Sequence, residues 1–228
     1  MCPSAEPVPA VALLDVSEDV LEQLLELALR DADADEVTPP LGTTAGWNTD
    51  RISWFREFHR AASAGLDGPA GQKTWAISCD GQMAGSVRLR RMDPEPAAAD
   101  EGWAGAGAVG AAGAGAGGAG PGGGAGAVAG RGGYAGPSDG AEAGAGGGRA
   151  LETGIWLARS FRGRGVGREA LRLVKARAAS TGAAVLVAET TAGNVGALAL
   201  LKYAGAELVT GAASQTQTVP VIAKIPLR

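Results

Sequence analysis

The stretch that decides the fold is Thr153-Gly154-Ile155-Trp156-Leu157-Ala158-Arg159-Ser160-Phe161-Arg162-Gly163-Arg164-Gly165-Val166-Gly167. An apolar, strand-like run enters it, a turn rich in glycine and arginine follows, and a helix-like run leaves it from about Gly167 to Thr181. Glycines at a helix entrance let backbone N–H groups close around an anion, and the positive end of the helix attracts it. Arginines in the same turn add charge that pairs with phosphate oxygens. The stretch therefore reads as the site of a phosphate-bearing cofactor.

Two nucleotide-binding patterns compete for this reading. A P-loop needs Gly-x-x-x-x-Gly-Lys-Ser/Thr, which does not occur. Gly165, Gly167 and Ala170 satisfy a dinucleotide fingerprint, with Glu189 roughly twenty residues on. However, a charged Arg-Gly-Arg spacer separates the strand from those glycines. The remaining chain is also too short for the second half of a doubly wound sheet.

The segment from Leu151 to Ala206 resembles the core of the GNAT superfamily of N-acetyltransferases. Arg162-x-x-Gly165-x-Gly167 has that family's Arg/Gln-x-x-Gly-x-Gly/Ala form. The strand Thr153–Arg159 precedes the loop, and the strand Ala184–Glu189 follows its helix. Asn194 with Ala197, Leu200, Lys202 and Gly205 is similar to the family's Asn-led helix. Loop, strand and helix in this order are a far more specific signal than the glycines alone.

The rest of the chain is compatible. Its 228 residues suit one domain, expected over 8–228, and the net charge of -4 gives no reason to expect nucleic acid. The two cysteines, Cys2 and Cys79, do not make a disulfide scaffold. Cys2 directly follows Met1, so no lipoprotein signal is expected, and no apolar run approaches the ~20 residues that span a bilayer. A cytoplasmic enzyme without membrane partners is the resulting expectation. From 95 to 149 glycine and alanine dominate, as in Gly110-Ala111-Ala112-Gly113-Ala114-Gly115. Glycine costs a helix about 1 kcal/mol per residue relative to alanine, and few large apolar groups offset the ordering entropy. This segment is expected to be a disordered, low-complexity insertion, either a tolerated loop expansion or an interaction arm.

Around the insertion the pattern is of mixed type. Ala10–Val16 reads as a strand, and Ser17 as the N-cap of a helix whose apolar stripe is Val20, Leu21, Leu24, Leu25 and Ala28. A second helix is expected over 49–64. Strands 74–79 and 83–89 flank Asp80-Gly81, a hairpin signal. Strands 206–209 and 219–225 close the chain. The expected class is α/β, the GNAT acyl-CoA acyltransferase fold, with a mixed and mostly antiparallel sheet flanked by helices.

The resemblance implies acetyl-CoA as co-substrate and no metal. Backbone N–H groups from Gly163, Arg164, Gly165, Val166, Gly167 and Arg168 would hold its pyrophosphate, with Arg162 at the motif position. The backbone of Leu157, Ala158 and Arg159 would pair with the pantetheine arm. Arg162 and Arg164 also read as plain solvated loop cations, and Asn194 as a helix cap that in the family lies near the cofactor. Transfer would be direct attack by an amine, whose proton a base must first remove. Glu189 matches the catalytic glutamate of the family's ribosomal-protein-alanine acetyltransferases, and Glu152 is the second candidate. Leu201 stands where the family usually carries a tyrosine acid, which leaves the acid unassigned.

Asp31, Asp33, Asp35 and Glu36 lie in the loop that in the family walls the acceptor site. They favour a polycationic small-molecule amine such as an aminoglycoside, or are simply a solvated helix exit. His59, on the aromatic-rich second helix, reads as packing. Rival readings are acetylation of a protein N-terminus and a non-catalytic CoA-binding module. The family pattern also admits a homodimer.

Overall fold

The computed structural model describes residues 9–41, 45–92, 150–211 and 219–227. The insertion expected over 95–149 lies outside these residues. Seven strands form one sheet in the order β1-β2-β3-β4-β5-β7-β6. They are β1 (Val11–Asp15), β2 (Gln72–Cys79), β3 (Gln82–Arg91), β4 (Ala150–Leu157), β5 (Val185–Thr191), β6 (Glu207–Thr210) and β7 (Pro220–Pro226). Every pairing is antiparallel except β4 with β5. The helices are α1 (Glu18–Asp31), α2 (Ala34–Val37), α3 (Thr49–Ala61), α4 (Val166–Ser180) and α5 (Val195–Tyr203).

Local chemistry sets the element ends. The Ser17 hydroxyl accepts from the Val20 N–H at 3.3 Å and caps α1, with Glu18 and Asp19 in its first turn. Asn48 caps α3 through the Arg51 N–H, and Asn194 caps α5 through the Ala197 N–H. Asp80 and Gly81 both take positive φ, as a two-residue hairpin turn requires. Gly85 fits where β3 crosses closest to β4: a Cβ there would lie 2.1 Å from the Trp156 carbonyl oxygen.

The buried core takes in Leu21, Leu24, Leu25, Leu27 and Ala28 of α1, Leu171, Val174 and Ala178 of α4, and Ile77, Val87, Leu89, Leu186 and Ile225 of the sheet. The structure differs from the sequence reading in three places. Leu27 is buried where Val20 is only half-buried, because the helix turns its stripe slightly. The acidic stretch after α1 winds into the short helix α2. Arg159 lies in a 3₁₀ turn over Arg159–Phe161, and not at the end of β4.

Helices α1 and α3 are joined by ion pairs Arg56–Glu22 at 2.7 Å and Arg60–Glu18 at 2.7 Å. His59 points inward from α3, 2% exposed, among Phe55 and Phe58, and its Nδ1 has no partner among the described residues. Burial pushes its pKa down to about 3. The unfolded chain, with an ordinary histidine near 6.5, then binds the extra proton between those values, so stability is lost as pH falls below about 6.5. His59 accounts for a slope of at most about 1.4 kcal/mol per pH unit. Denaturant unfolding at pH 7 and pH 5 should show this loss, and His59→Phe should flatten it; an unchanged slope would remove His59 as its source.

Candidate active site between strands β4 and β5

The site begins where two strands part. Strands β4 and β5 pair from Ala150↔Val185 to Thr153↔Ala188 and no further. Beyond that point Gly154–Leu157 stays paired with β3, while Glu189–Thr191 stays paired with β7. The sheet thus opens into a wedge, with the β5-facing edge of β4 carrying no ladder partner. An unpaired strand edge is a ready acceptor of another extended chain. A pantetheine arm, with its two amides, is such a chain.

At the wide end of the wedge lies the glycine turn. Gly163 and Gly165 take φ of 74° and 82°, and Gly165 is the left-handed residue immediately before α4. Side chains are disfavoured at such φ, so glycine is needed there. The first N–H groups of α4 face the turn, the arrangement expected of an anion site. Loop and helix fit the pyrophosphate of acetyl-CoA in donor chemistry. Val166 is fully buried, and Gly167 packs where a Cβ would touch the Leu157 and Leu200 side chains at 3.5 Å. Helix α4 therefore covers the sheet face that carries Leu157.

The cations of the turn divide into two kinds. Arg162 is committed to structure: its Nε donates to the Leu157 carbonyl at 2.9 Å and its Nη2 to Glu36 of α2 at 2.8 Å. Arg164 and Arg168 are exposed and rest on Phe161 and Tyr203, with guanidinium carbons 5.4 Å and 4.7 Å from the ring centres. Of the groups expected to meet pantetheine, the Leu157 carbonyl already takes Arg162, and the Ala158 N–H donates to Ala84 at 3.0 Å. Arg159 pairs instead with Asp33. A groove of about 290 Å³ between α4 and α5, lined by Arg168, Arg172, Lys175 and Tyr203, lies beside the turn rather than at the wedge.

The opposite sheet face holds the titratable groups. Register partners share a face, so Arg88, Arg90, Glu152, Gly154, Val187 and Glu189 lie together on the side covered by α1 and α3. Glu152 is 4% exposed and holds Arg88 at 2.5 Å through one oxygen and Arg90 through the other. Both oxygens are thus engaged by guanidinium groups. Glu189 is half-buried one residue past the last β4–β5 pair, and its carboxylate makes no salt bridge or hydrogen bond among the described residues. Burial holds Arg88 below the usual arginine pKa, opposed by Glu152 and more weakly by Glu189.

The four carboxylates expected to wall the acceptor site are each engaged. Asp31 accepts from the Ser160 hydroxyl at 2.6 Å, Asp33 pairs with Arg159, Asp35 with Arg51 at 2.6 Å, and Glu36 with Arg162. They clamp α2 onto the cofactor turn and onto α3. Asn194 is buried at the α5 cap, close behind β5. Leu201 is 2% exposed in the core, and Tyr203 is 67% exposed on the outer face of α5. Sequence reasoning missed Arg88 and Arg90, though charges alternating with Val87 and Leu89 mark one polar face of a buried strand.

Comparison with known proteins places this geometry. Residues 121–207 match the family model of the acetyltransferase (GNAT) domain. Over those residues the chain is similar to the GNAT acetyltransferase domain. GNAT enzymes use acetyl-CoA as acyl donor. Among solved structures, the ribosomal L7/L12 alpha-N-protein acetyltransferase RimL in complex with coenzyme A is 14% identical with TM-score 0.59, covering 96% of each chain. The Salmonella typhimurium acetyltransferase that modifies the N-terminal serine of L7/L12 is 13% identical with TM-score 0.57, covering 96% of this chain and 97% of that one. An N-acetyltransferase from Staphylococcus aureus Mu50 is 15% identical with TM-score 0.51, covering 96% and 99%. At these identities the likeness is one of fold. No curated protein sequence matches the chain. No helix among the described residues is long and apolar enough to cross a membrane.

If Arg162 braces the GNAT turn, Arg162→Ala should weaken acetyl-CoA about tenfold by calorimetry, as loss of a charge-assisted bond of ~1.5 kcal/mol implies. The melting temperature should fall as well, because Glu36 and the Leu157 carbonyl lose their partner. An unchanged dissociation constant would show that the turn holds its shape without the brace.

Proposed function

We propose that this GNAT enzyme transfers acetyl to a primary amine of a small molecule, with Glu189 as the base. The observation that carries this reading is the position of Glu189: it directly follows the last β4–β5 pair and is free of ion pairs among the described residues. An alkylammonium near pKa 10 must lose a proton before it can attack. A carboxylate at the wedge receives that proton directly or through one water. Acetyl-CoA supplies the activated acetyl group and a thiolate leaving group. Gly163, Arg164, Gly165, Val166 and Gly167 would hold its pyrophosphate through N–H groups, whereas the Arg168 N–H already donates to the Gly165 carbonyl at 3.0 Å; Leu157 and Asn194 would flank its arm.

Glu152, bonded on both oxygens, is the weaker candidate for the base and the better one for a brace of Arg88 and Arg90. Residues 8–228 are proposed to form one domain, interrupted by the Gly/Ala segment 95–149. The engaged state of Asp31, Asp33, Asp35 and Glu36 withdraws the charge argument for an aminoglycoside-like polycation. A second reading, acetylation of a protein N-terminus, draws support from the fold likeness to the L7/L12 acetyltransferases.

Glu189→Gln should lower turnover at saturating amine by on the order of 10²–10⁴-fold while leaving acetyl-CoA affinity nearly intact. The assay is release of free CoA thiol with small amines and with N-terminal peptides as acceptors. Full turnover in the variant across pH would take Glu189 out of the mechanism.

A further inference from the structure

Arg88 and Glu189 form an unfinished pair. They share one sheet face on strands β3 and β5, with β4 between them, and the β4 residue opposite Arg88 is Gly154. Glycine projects no side chain into the lane between the two charges. Each influences the other electrostatically, yet they do not meet as a salt bridge. Arg88 spends one nitrogen on Glu152, and its Nε and Nη1 have no hydrogen-bond partner among the described residues. Those two atoms are absent from the fully buried, unpartnered polar atoms of the described residues, so they keep some access to solvent. Phe58 of α3 lies 5.7 Å from the guanidinium carbon, and Arg90 shares Glu152, which fixes the plane of the fork.

Charge counting points the same way. Two arginines share one carboxylate, so the cluster keeps one positive charge that Glu152 does not neutralise. The side chain of Arg88 is only 12% exposed, and a mostly buried guanidinium gains most from a partner that replaces its lost water. A ligand set across the lane meets a cation at one end and a carboxylate at the other.

We propose that Arg88 is a specificity-determining residue that binds a carboxylate on the acceptor, so that the acceptor is an amino acid or similar compound with a carboxylate a few bonds from its amine. The proposal rests on the reading of Glu189 as the base. The amine lies toward Glu189 and the carboxylate toward the free edge of Arg88. Glu152 and Arg90 position the fork.

The test compares three matched acceptor series by CoA-thiol release: free amino acids, their carboxamides and the corresponding decarboxylated amines. The wild type should favour the free acids by on the order of tenfold to a hundredfold in kcat/KM, the worth of a charge-assisted contact. In Arg88→Gln that preference should collapse to about one, chiefly through KM, and Arg88→Lys should recover part of it. Acetyl-CoA binding by both variants, measured by calorimetry, checks that the fold survives. Wild-type turnover of carboxamides, amines or N-terminal peptides equal to that of the acids would overturn the proposal and leave Glu189 standing. A preference that persists in Arg88→Gln would also overturn it. Turnover of none of the three series would remove the small-amine reading and this proposal together.

Discussion

The loss of pairing between β4 and β5 after Thr153 and Ala188 is the constraint on which the rest depends. A parallel pair that continued would seal the sheet and leave no room for an extended ligand. Because it stops, one strand keeps a free edge and the other presents its end residues. Both strands remain anchored on their far sides, β4 to β3 and β5 to β7, so the wedge is held open by pairing elsewhere. Gly85 permits the close β3–β4 approach that holds the β4 side in place.

Two layers of side chains stabilise this opening from opposite faces. On one face α4 seals the wedge with Val166 and Gly167 and brings its N-terminus to the glycine turn. On the other, the α1–α3 pair roofs a polar strip in which Glu152 gathers Arg88 and Arg90. The acidic stretch joins the two layers: its carboxylates reach Ser160, Arg159 and Arg162 on the turn and Arg51 on α3. What reads in the sequence as surface charge is the clamp between the glycine turn and α3.

The legible parts of the sequence were those where local chemistry decides the outcome. Ser17, Asp80-Gly81, Gly165 and Asn194 each impose a cap or turn through their own backbone preference, and the elements around them follow. Periodicity placed α1 because its stripe is wide and aliphatic. The pairs Arg162–Glu36, Glu152–Arg88 and Asp31–Ser160 were not legible, since they join residues more than sixty positions apart. The same is true of Arg88: its meaning depends on which residues β4 and β5 place beside it. The 3₁₀ turn at Arg159 shows the same limit, as a strand-like pattern ended where Arg162 took the Leu157 carbonyl.

The measurement that bears most directly on the wedge is amide hydrogen exchange with and without acetyl-CoA. Half of the β4 amides over 154–157 are expected to face the free edge, and those should exchange quickly in the free protein. Acetyl-CoA should slow them, together with the amides of 163–168, and leave β2 and β7 unchanged. Protection confined to other elements, with 154–157 unaffected, would contradict the placement of the ligand between the two strands.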